Sequence, residues 1–400
     1  GMLRKARQVL DELHDRDTVC WSSLIAGYVH EGQSSEALKC FEEMKKEGVC
    51  PNEVTFISIL KACGSIGAIK KGEQVHHEIT IQGLIGKNIA LCNALVDMYA
   101  KCGLLSKARQ VLEELPVRNV VSWNALITGY AQHELGHEVL KSYASMVKDG
   151  KSPNEITYSS LLKACGSIGA INKGVQIHNE IVERGLMEKN IVIGTALVDM
   201  YAKCGVLEKA QQALEELPVR DIVSWSVLIR GYAQQGQSHE ALNCFVHMQN
   251  EGLFPDEITF ICVLNACSHS GEMCKAQTLY DNMTKRFGVA PKLKHHTSMV
   301  LVFGCAGHFD KVISVIEMMP SFYDCSLWLA LLCACKKWGN VKLGRHAFDQ
   351  AIQQDSTCPA AYTLMATIFT DSGMQKDAQR VIAMRLKYAC LNNRGNCVVE

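Results

Sequence analysis

The stretch LVDMYAKCG at Leu95–Gly103 recurs at Leu197–Gly205, 102 residues further on. The same displacement superposes Trp21 on Trp123 and Trp225, Cys63 on Cys165 and Cys267, and Pro116 on Pro218. A period this long belongs to neither a coiled-coil register nor a linker composition; it marks a structural unit repeated in tandem. Each block divides again. In the second block the shorter units are 120–154, 155–190 and 191–221, of 35, 36 and 31 residues. Inside the first of them Trp123, Leu126, Ile127 and Tyr130 follow helical spacing. A glycine-containing break follows, then a second amphipathic run with Val139, Leu140, Tyr143 and Met146. Units close on residues that stop one helix and start another, as in Gly48, Pro51 and Asn52. No run sustains the two-residue alternation of a strand. The pattern predicts an all-α fold of helical hairpins. A lone hairpin cannot bury its apolar face, so stability has to come from stacking on neighbours.

Composition narrows the function. Hydrophobic residues make up 48% and charged residues 20%, and the 41 basic side chains equal the 41 acidic ones. That balance argues against strong non-specific duplex binding, which rests on many phosphate contacts, yet leaves room for a local basic or polar groove. No apolar run is long enough to span a membrane, and no signal or transit peptide opens the chain. GMLRKARQVLDEL at the start aligns with GLLSKARQVLEEL at Gly103–Leu115. The opening residues 1–17 therefore read as a second helix without its partner, through truncation or a lost exon, and the missing targeting peptide says nothing about location.

Catalytic chemistry is not expected. A zinc deaminase needs a His or Cys ligand near a glutamate and a Cys-x-x-Cys pair. His76-x-Glu78 and His178-x-Glu180 resemble the first half, but they stand at one repeat position and read as helix surface; Cys333 and Cys335 are one residue too close for the second half. His295–His296 lacks a third ligand, and no phosphate loop or nucleophile motif is present. No metal, cofactor or catalytic residue is assigned. Equivalent sites three hairpins apart should be about 30 Å apart, with helices about 10 Å wide, whereas a disulfide needs Cα atoms within about 7 Å. Cys63, Cys165 and Cys267 thus read as small apolar residues. Trp21, Trp123, Trp225 and Trp328 sit in the apolar stripe, which points to core burial rather than base stacking.

VSWNALITGYAQ, ITYSSLLKACGSIGAINKGVQIH and IVIGTALVDMYAKCGVLEKA, all in the second block, resemble the P, L and S variants of plant-type pentatricopeptide repeat proteins, in that cyclic order. On this resemblance 1–17 is a partial S repeat. P, L and S repeats then occupy 18–52, 53–88 and 89–119; 120–154, 155–190 and 191–221; and 222–256, 257–292 and 293–324. Trp328, Leu331, Leu332, Ala334, Cys335, Gly339 and Asn340 resemble the first of two E motifs (325–358). Tyr362, Leu364, Ile368 and Gly373 resemble the second (359–392). The tail 393–400, with RGNCVVE, looks like a worn version of the family's PG-containing box, and LVFGCAG at Leu301–Gly307 departs from the more polar family form.

The resemblance implies a right-handed α-solenoid that reads single-stranded RNA, one base per repeat. The fifth and last residues of a motif select the base and the second residue clamps it. A hydroxyl at the fifth position favours purines; a terminal Asn then suits adenine and a terminal Asp suits guanine, while Asn at both places favours pyrimidines. The pairs are Ser22 with Asn52 for adenine, Asn93 with Asn119 for a pyrimidine, and Asn124 with Asn154 for a pyrimidine, cytidine preferred. Thr195 with Asp221, Ser226 with Asp256 and Thr297 with Asp324 each predict guanine, although Lys294 replaces the clamp in the last. Ile57 with Asn88 and Ile261 with Lys292 match nothing, and Ser159 with Asn190 weakly favours adenine. The target is A-N-Y-Y-N-G-G-N-G. The clamps are Val19, Val54, Val121, Ile156, Val192, Val223 and Ile258; helix packing is the alternative for these, and simple helix capping for the pairs. The expected role is a specificity factor for C-to-U editing in a mitochondrion or chloroplast, with a DYW-type deaminase or an editing cofactor protein as partner and no membrane association. A protein-binding scaffold of tetratricopeptide kind is the competing reading.

Overall fold

The apolar spacing becomes helix throughout the computed structural model, which describes residues 2–13, 15–187, 190–319 and 324–395, with side chains as far as 386. All the regular elements among these residues are helical. The chain divides into two compact units, Gly1–Cys204 and Gly205–Glu400.

The first unit opens with α1 (Met2–Glu12). The hairpins α2 (Thr18–His30) and α3 (Ser34–Lys46), α4 (Glu53–Ile66) and α5 (Ile69–Ile81), and α6 (Ile89–Lys101) and α7 (Leu105–Glu114) follow. Then come α8 (Val120–Gln132) and α9 (Gly136–Lys148), α10 (Glu155–Ser167) and α11 (Ile171–Glu183), and finally α12 (Ile191–Lys203). First helices form a row in which α2, α4, α6, α8, α10 and α12 each pack on the next, while a second helix touches the first helix of its own hairpin and of the one after it. Close approach within the row depends on small residues. A Cβ added to Gly129 on α8 would lie 2.5 Å from the Ala100 Cβ on α6, well inside van der Waals contact, so only glycine fits there.

The second unit opens with α13 (Leu207–Glu215) and continues as α14 (Ile222–Gln234) with α15 (Ser238–Asn250), and α16 (Glu257–Ser270) with α17 (Met273–Lys285). It goes on with α18 (Leu293–Cys305) and α19 (Phe309–Glu317), α20 (Cys325–Trp338) and α21 (Val341–Gln354), and α22 (Pro359–Asp371) and α23 (Gln375–Gly395). Its row runs α14, α16, α18, α20, α22. Each unit is a segment of helical-repeat solenoid.

The cores follow the apolar stripe. Trp21, Trp123, Trp225 and Trp328 are all less than a tenth exposed, so they are packing residues. In the first unit the Phe41 and Phe56 rings meet edge to face at 6.4 Å; in the second, Phe260 sits between Phe245 at 6.0 Å and Phe287 at 5.6 Å. Cys63, Cys165 and Cys267 are fully buried, and desolvation pushes their thiols up to about 11. They behave as small hydrophobes.

The paired histidines are not a solvated surface. His76 is half-buried, and its Nδ1 lies 2.8 Å from the Tyr99 hydroxyl on the next hairpin; His178 and Tyr201 repeat the arrangement at 2.8 Å. A hydrogen bond between neighbouring hairpins, rather than solvent, satisfies that ring nitrogen. His295 on α18 is fully buried: its Nε2 donates to the Glu257 carbonyl oxygen (2.9 Å) while Nδ1 accepts from the Lys292 backbone N–H (3.0 Å). Among the described residues no three His, Cys, Asp or Glu side chains group as metal ligands would.

Candidate nucleic-acid interface

A first helix needs partners for its leading backbone N–H groups, and the sequence places Asn or Asp there. Asn52, Asn119, Asn154, Asp221 and Asp256 are the N-caps of α4, α8, α10, α14 and α16. Each accepts through Oδ1 the N–H of the third helical residue, and the hydroxyl of that residue closes a capping box by accepting the cap's own N–H. The final residues of these repeats are therefore caps, worth about 1 kcal/mol each. A cap uses only one of the two side-chain tips, however. Among the described residues, the Asn52 and Asn154 amino groups have no hydrogen-bond partner.

At four of these five caps the fifth residue of the preceding first helix joins this network. Asn124 on α8, only 6% exposed, donates its amide to Asn154 Oδ1 (2.8 Å) and accepts the Thr157 hydroxyl on Oδ1 (2.7 Å). Ser22 Oγ lies 2.6 Å from Thr55 Oγ1 and 3.3 Å from Asn52 Oδ1. Asn93 Oδ1 accepts the Ser122 hydroxyl at 2.6 Å, and Ser122 in turn donates its N–H to Asn119 Oδ1 at 2.8 Å. In the second unit Ser226 Oγ is 2.7 Å from Thr259 Oγ1, which donates to Asp256 Oδ1 at 2.7 Å. The structure thus brings together the pairs Ser22–Asn52, Asn93–Asn119, Asn124–Asn154 and Ser226–Asp256. The sequence reading missed the residue that links them: a Ser or Thr three positions after the cap (Thr55, Ser122, Thr157, Thr259). Its signal was the Asn/Asp-x-x-Ser/Thr spacing.

Other pairs are arranged differently. Thr195 is half-buried on α12 in the first unit, and Asp221 belongs to the second. The Thr297 hydroxyl donates to its own helix at the Leu293 carbonyl oxygen (3.0 Å), and Asp324 caps α20 through the Ser326 N–H (3.1 Å). Asn88 and Asn190 cap α6 and α12 without a capping box, and Ser159 on α10 is half-buried.

In seven first helices the second residue is apolar and in water. Val19, Val54, Val121, Ile156, Val192, Val223 and Ile258 are between 55% and 65% exposed. They stand largely outside the core, and exposed aliphatic groups recur at one repeat position. In the first unit a groove of about 510 Å³ collects these features: Asn93 and Asn124 line it together with Val121, Ile156 and the exposed Lys61, beside Lys101 held by Asp97 at 2.7 Å. Apolar walls, amide tips and positive charge meet there in a chain of zero net charge.

The PPR repeat family model matches residues 16–65, 118–167 and 220–269, and the PPR repeat model matches 90–120, 156–186 and 195–222. Two pentatricopeptide repeat-containing proteins of Arabidopsis thaliana are each 35% identical over 95% of this chain, covering 64% and 52% of their own lengths. A third from the same plant, named mitochondrial, is 33% identical over 94% of this chain and 67% of its own. The chain thus spans between about half and two thirds of the length of these relatives. Among solved structures, the pentatricopeptide repeat protein PPR10 in complex with an 18-nt psaJ RNA element matches 97% of this chain and 62% of its own, with TM-score 0.67 at 18% identity. With repeat models covering more than half of its residues, the chain belongs to the pentatricopeptide repeat family.

Proposed function

We propose that this protein binds single-stranded RNA sequence-specifically, reading one base per repeat through the capped pairs and holding each base between successive exposed aliphatic side chains. The observation that carries the proposal is the pairing of those aliphatics with buried hydroxyl or amide groups bonded to a cap that has a side-chain tip to spare. The cap fixes which tip that is. Only an oxygen can accept the N–H of the third helical residue, so an Asn cap turns its NH2 outward and an Asp cap its second oxygen. An outward NH2 matches an acceptor on the Watson–Crick edge, N1 of adenine or N3 of cytosine. An outward carboxylate oxygen matches a donor, N1–H of guanine or N3–H of uracil. Ser22–Asn52 then selects adenine, Asn93–Asn119 and Asn124–Asn154 a pyrimidine with cytidine preferred in the second, and Thr195–Asp221, Ser226–Asp256 and Thr297–Asp324 guanine. Together they give A-N-Y-Y-N-G-G-N-G.

The wider role we assign is that of a specificity factor for C-to-U editing in a mitochondrion or chloroplast. It acts with a deaminase of the DYW type, or another editing protein, supplied by a separate chain or by a longer form of this one. The P-L-S order and the E-like hairpins α20–α21 and α22–α23 support that role, as do relatives named mitochondrial and chloroplastic. Selection of RNA from a random pool on the purified protein tests the reading. Enrichment of the stated bases at one-nucleotide spacing is expected; a pool that enriches nothing overturns it.

A further inference from the structure

The first helical position separates one class of repeat from the others. Glutamate stands there in α4, α10 and α16 (Glu53, Glu155, Glu257), where α2, α6, α8, α12, α14 and α18 carry Thr18, Ile89, Val120, Ile191, Ile222 and Leu293. Each glutamate engages the residue that closes its own repeat. The Asn88 amino group donates to Glu53 Oε2, the Asn190 amino group donates to Glu155 Oε2, and Lys292 Nζ pairs with Glu257 Oε1 at 2.8 Å.

The backbone at two of these three positions differs as well, while Lys292 keeps an extended ψ of 169°. Asn88 and Asn190 have ψ of 107° and 102°, against 179°, 178° and −174° at Asn52, Asn119 and Asn154. The cause lies in the helix they cap. Its third residue is Leu91 or Ile193, which has no hydroxyl to complete a capping box; each Asn Oδ1 accepts the N–H of the second residue, Ala90 or Val192, at 2.9 Å, and Asn88 Oδ1 also accepts the Leu91 N–H at 3.2 Å. Oxygen and amino group are then both engaged inside the protein. The carboxylate beside the amide also repels the acceptor atoms of a base, which an unshielded amino group would attract.

We propose that Glu53, Glu155 and Glu257 are specificity-determining residues that silence their repeats, holding the closing residue away from base readout so that the repeat spans a nucleotide without selecting it. The inference rests on the RNA reading above. It assigns the low selectivity of these repeats to an intramolecular competitor and makes that selectivity recoverable. Repeat 155–190 is the informative one, because Ser159 with Asn190 reproduces the residue types of Ser22 with Asn52.

The test is equilibrium binding of RNAs that vary only opposite that repeat, at fixed salt, to the unmodified protein and to Glu155→Ala and Glu155→Gln. The unmodified protein should be indifferent. Glu155→Ala should prefer adenine by at least about fivefold, the lower end of what one good base contact gives, while Glu155→Gln, which keeps an acceptor oxygen facing Asn190, should remain indifferent. Glu155 is exposed, so the fold tolerates both changes. The preference for guanine opposite Ser226 and Asp256 is measured on the same proteins. If that preference holds while Glu155→Ala stays indifferent at its own position, the silencing inference is overturned alone. If no position shows any preference in any of the proteins, the RNA reading falls and the inference with it.

Discussion

Asn154→Asp separates the two jobs assigned to the last residue of a repeat. In the native chain Asn154 Oδ1 accepts the Thr157 N–H at 3.1 Å and the Asn124 amide at 2.8 Å, leaving the amino group unpartnered. An aspartate keeps the accepting oxygen and exchanges the amino group for a second oxygen. Asn and Asp are equivalent N-caps, and a negative charge at a helix N-terminus contributes about 0.3–1 kcal/mol in favour. Exposed Glu155 next to it opposes that gain. Stability should therefore stay within about 1 kcal/mol of the native value. The outward atom, though, changes from donor to acceptor, and the matching pyrimidine edge changes from N3 of cytosine to N3–H of uracil. One good contact discriminates by about 1–3 kcal/mol, a factor of roughly 5–150. Fluorescence anisotropy with two RNAs that differ only opposite this repeat, at constant ionic strength, should show the preference pass from cytidine to uridine. Urea unfolding of the same variant reads the cap. Destabilisation beyond about 2 kcal/mol, the upper limit for a lost cap, would refute the capping geometry; a preserved cytidine preference in a stable variant would refute the outward-tip argument.

Val121→Ala with Ile156→Ala, both on residues more than half exposed, should alter stability by less than about 0.5 kcal/mol per site yet weaken RNA binding severalfold; a loss of about 2 kcal/mol or more in urea, the scale of a truncated core residue, would return them to the core. Trp123→Ala, at 6% exposure, should cost about 3–5 kcal/mol, visible as lost protection from amide exchange in α8 and its neighbours. Glu251→Asp should withdraw the carboxylate that accepts the Trp225 indole N–H at 2.8 Å, and the orphaned donor costs about 1–3 kcal/mol in urea unfolding. Glu251→Gln keeps an acceptor oxygen at the same reach and gives up the exposed ion pair and hydrogen bond with Arg220, so its loss should stay at about 1 kcal/mol. Burial holds the His76 imidazole below its ordinary value of 6.5. As pH falls through 6.5 the unfolded chain takes up the proton first, so stability should fall on acidification, and His76→Gln should flatten that slope in a pH series of urea midpoints.

The fold was legible because its determinants are local and repeat. Asn52, Asn119 and Asn154 start helices through their own side chains, and Trp21, Trp123 and Trp225 lie on the stripe that is buried. Each signal appears several times at fixed spacing, so an accident at one position is outvoted at the others. His76 was placed wrongly for the converse reason. Its partner, the Tyr99 hydroxyl, lies on the next hairpin, 23 residues away, and nothing local to His76 announces the contact. The histidine at 295 illustrates the same limit: it takes the position of a capping hydroxyl, a role that only the placement of the Lys292 N–H and the Glu257 carbonyl reveals.

At the candidate site, sequence offered capping and base reading as alternatives for Asn and Asp, and the geometry shows why they need not compete. A carboxamide or carboxylate has two tips, and a helix N-terminus occupies one of them with an oxygen. Capping therefore orients the group, and orientation is what makes the remaining tip a donor in one residue type and an acceptor in the other. Serine, with a single polar side-chain atom, has no second atom to turn outward once it caps. The hydroxyl three residues later completes the arrangement by tying the fifth residue of one helix to the cap of the next, as Thr157 does for Asn124 and Asn154. Where that hydroxyl gives way to Leu91 or Ile193, the cap engages the N–H of the second helical residue and a glutamate takes the spare tip. On this argument two positions outside the pair, the first and third residues of the flanking helices, decide whether a pair is available to a base at all.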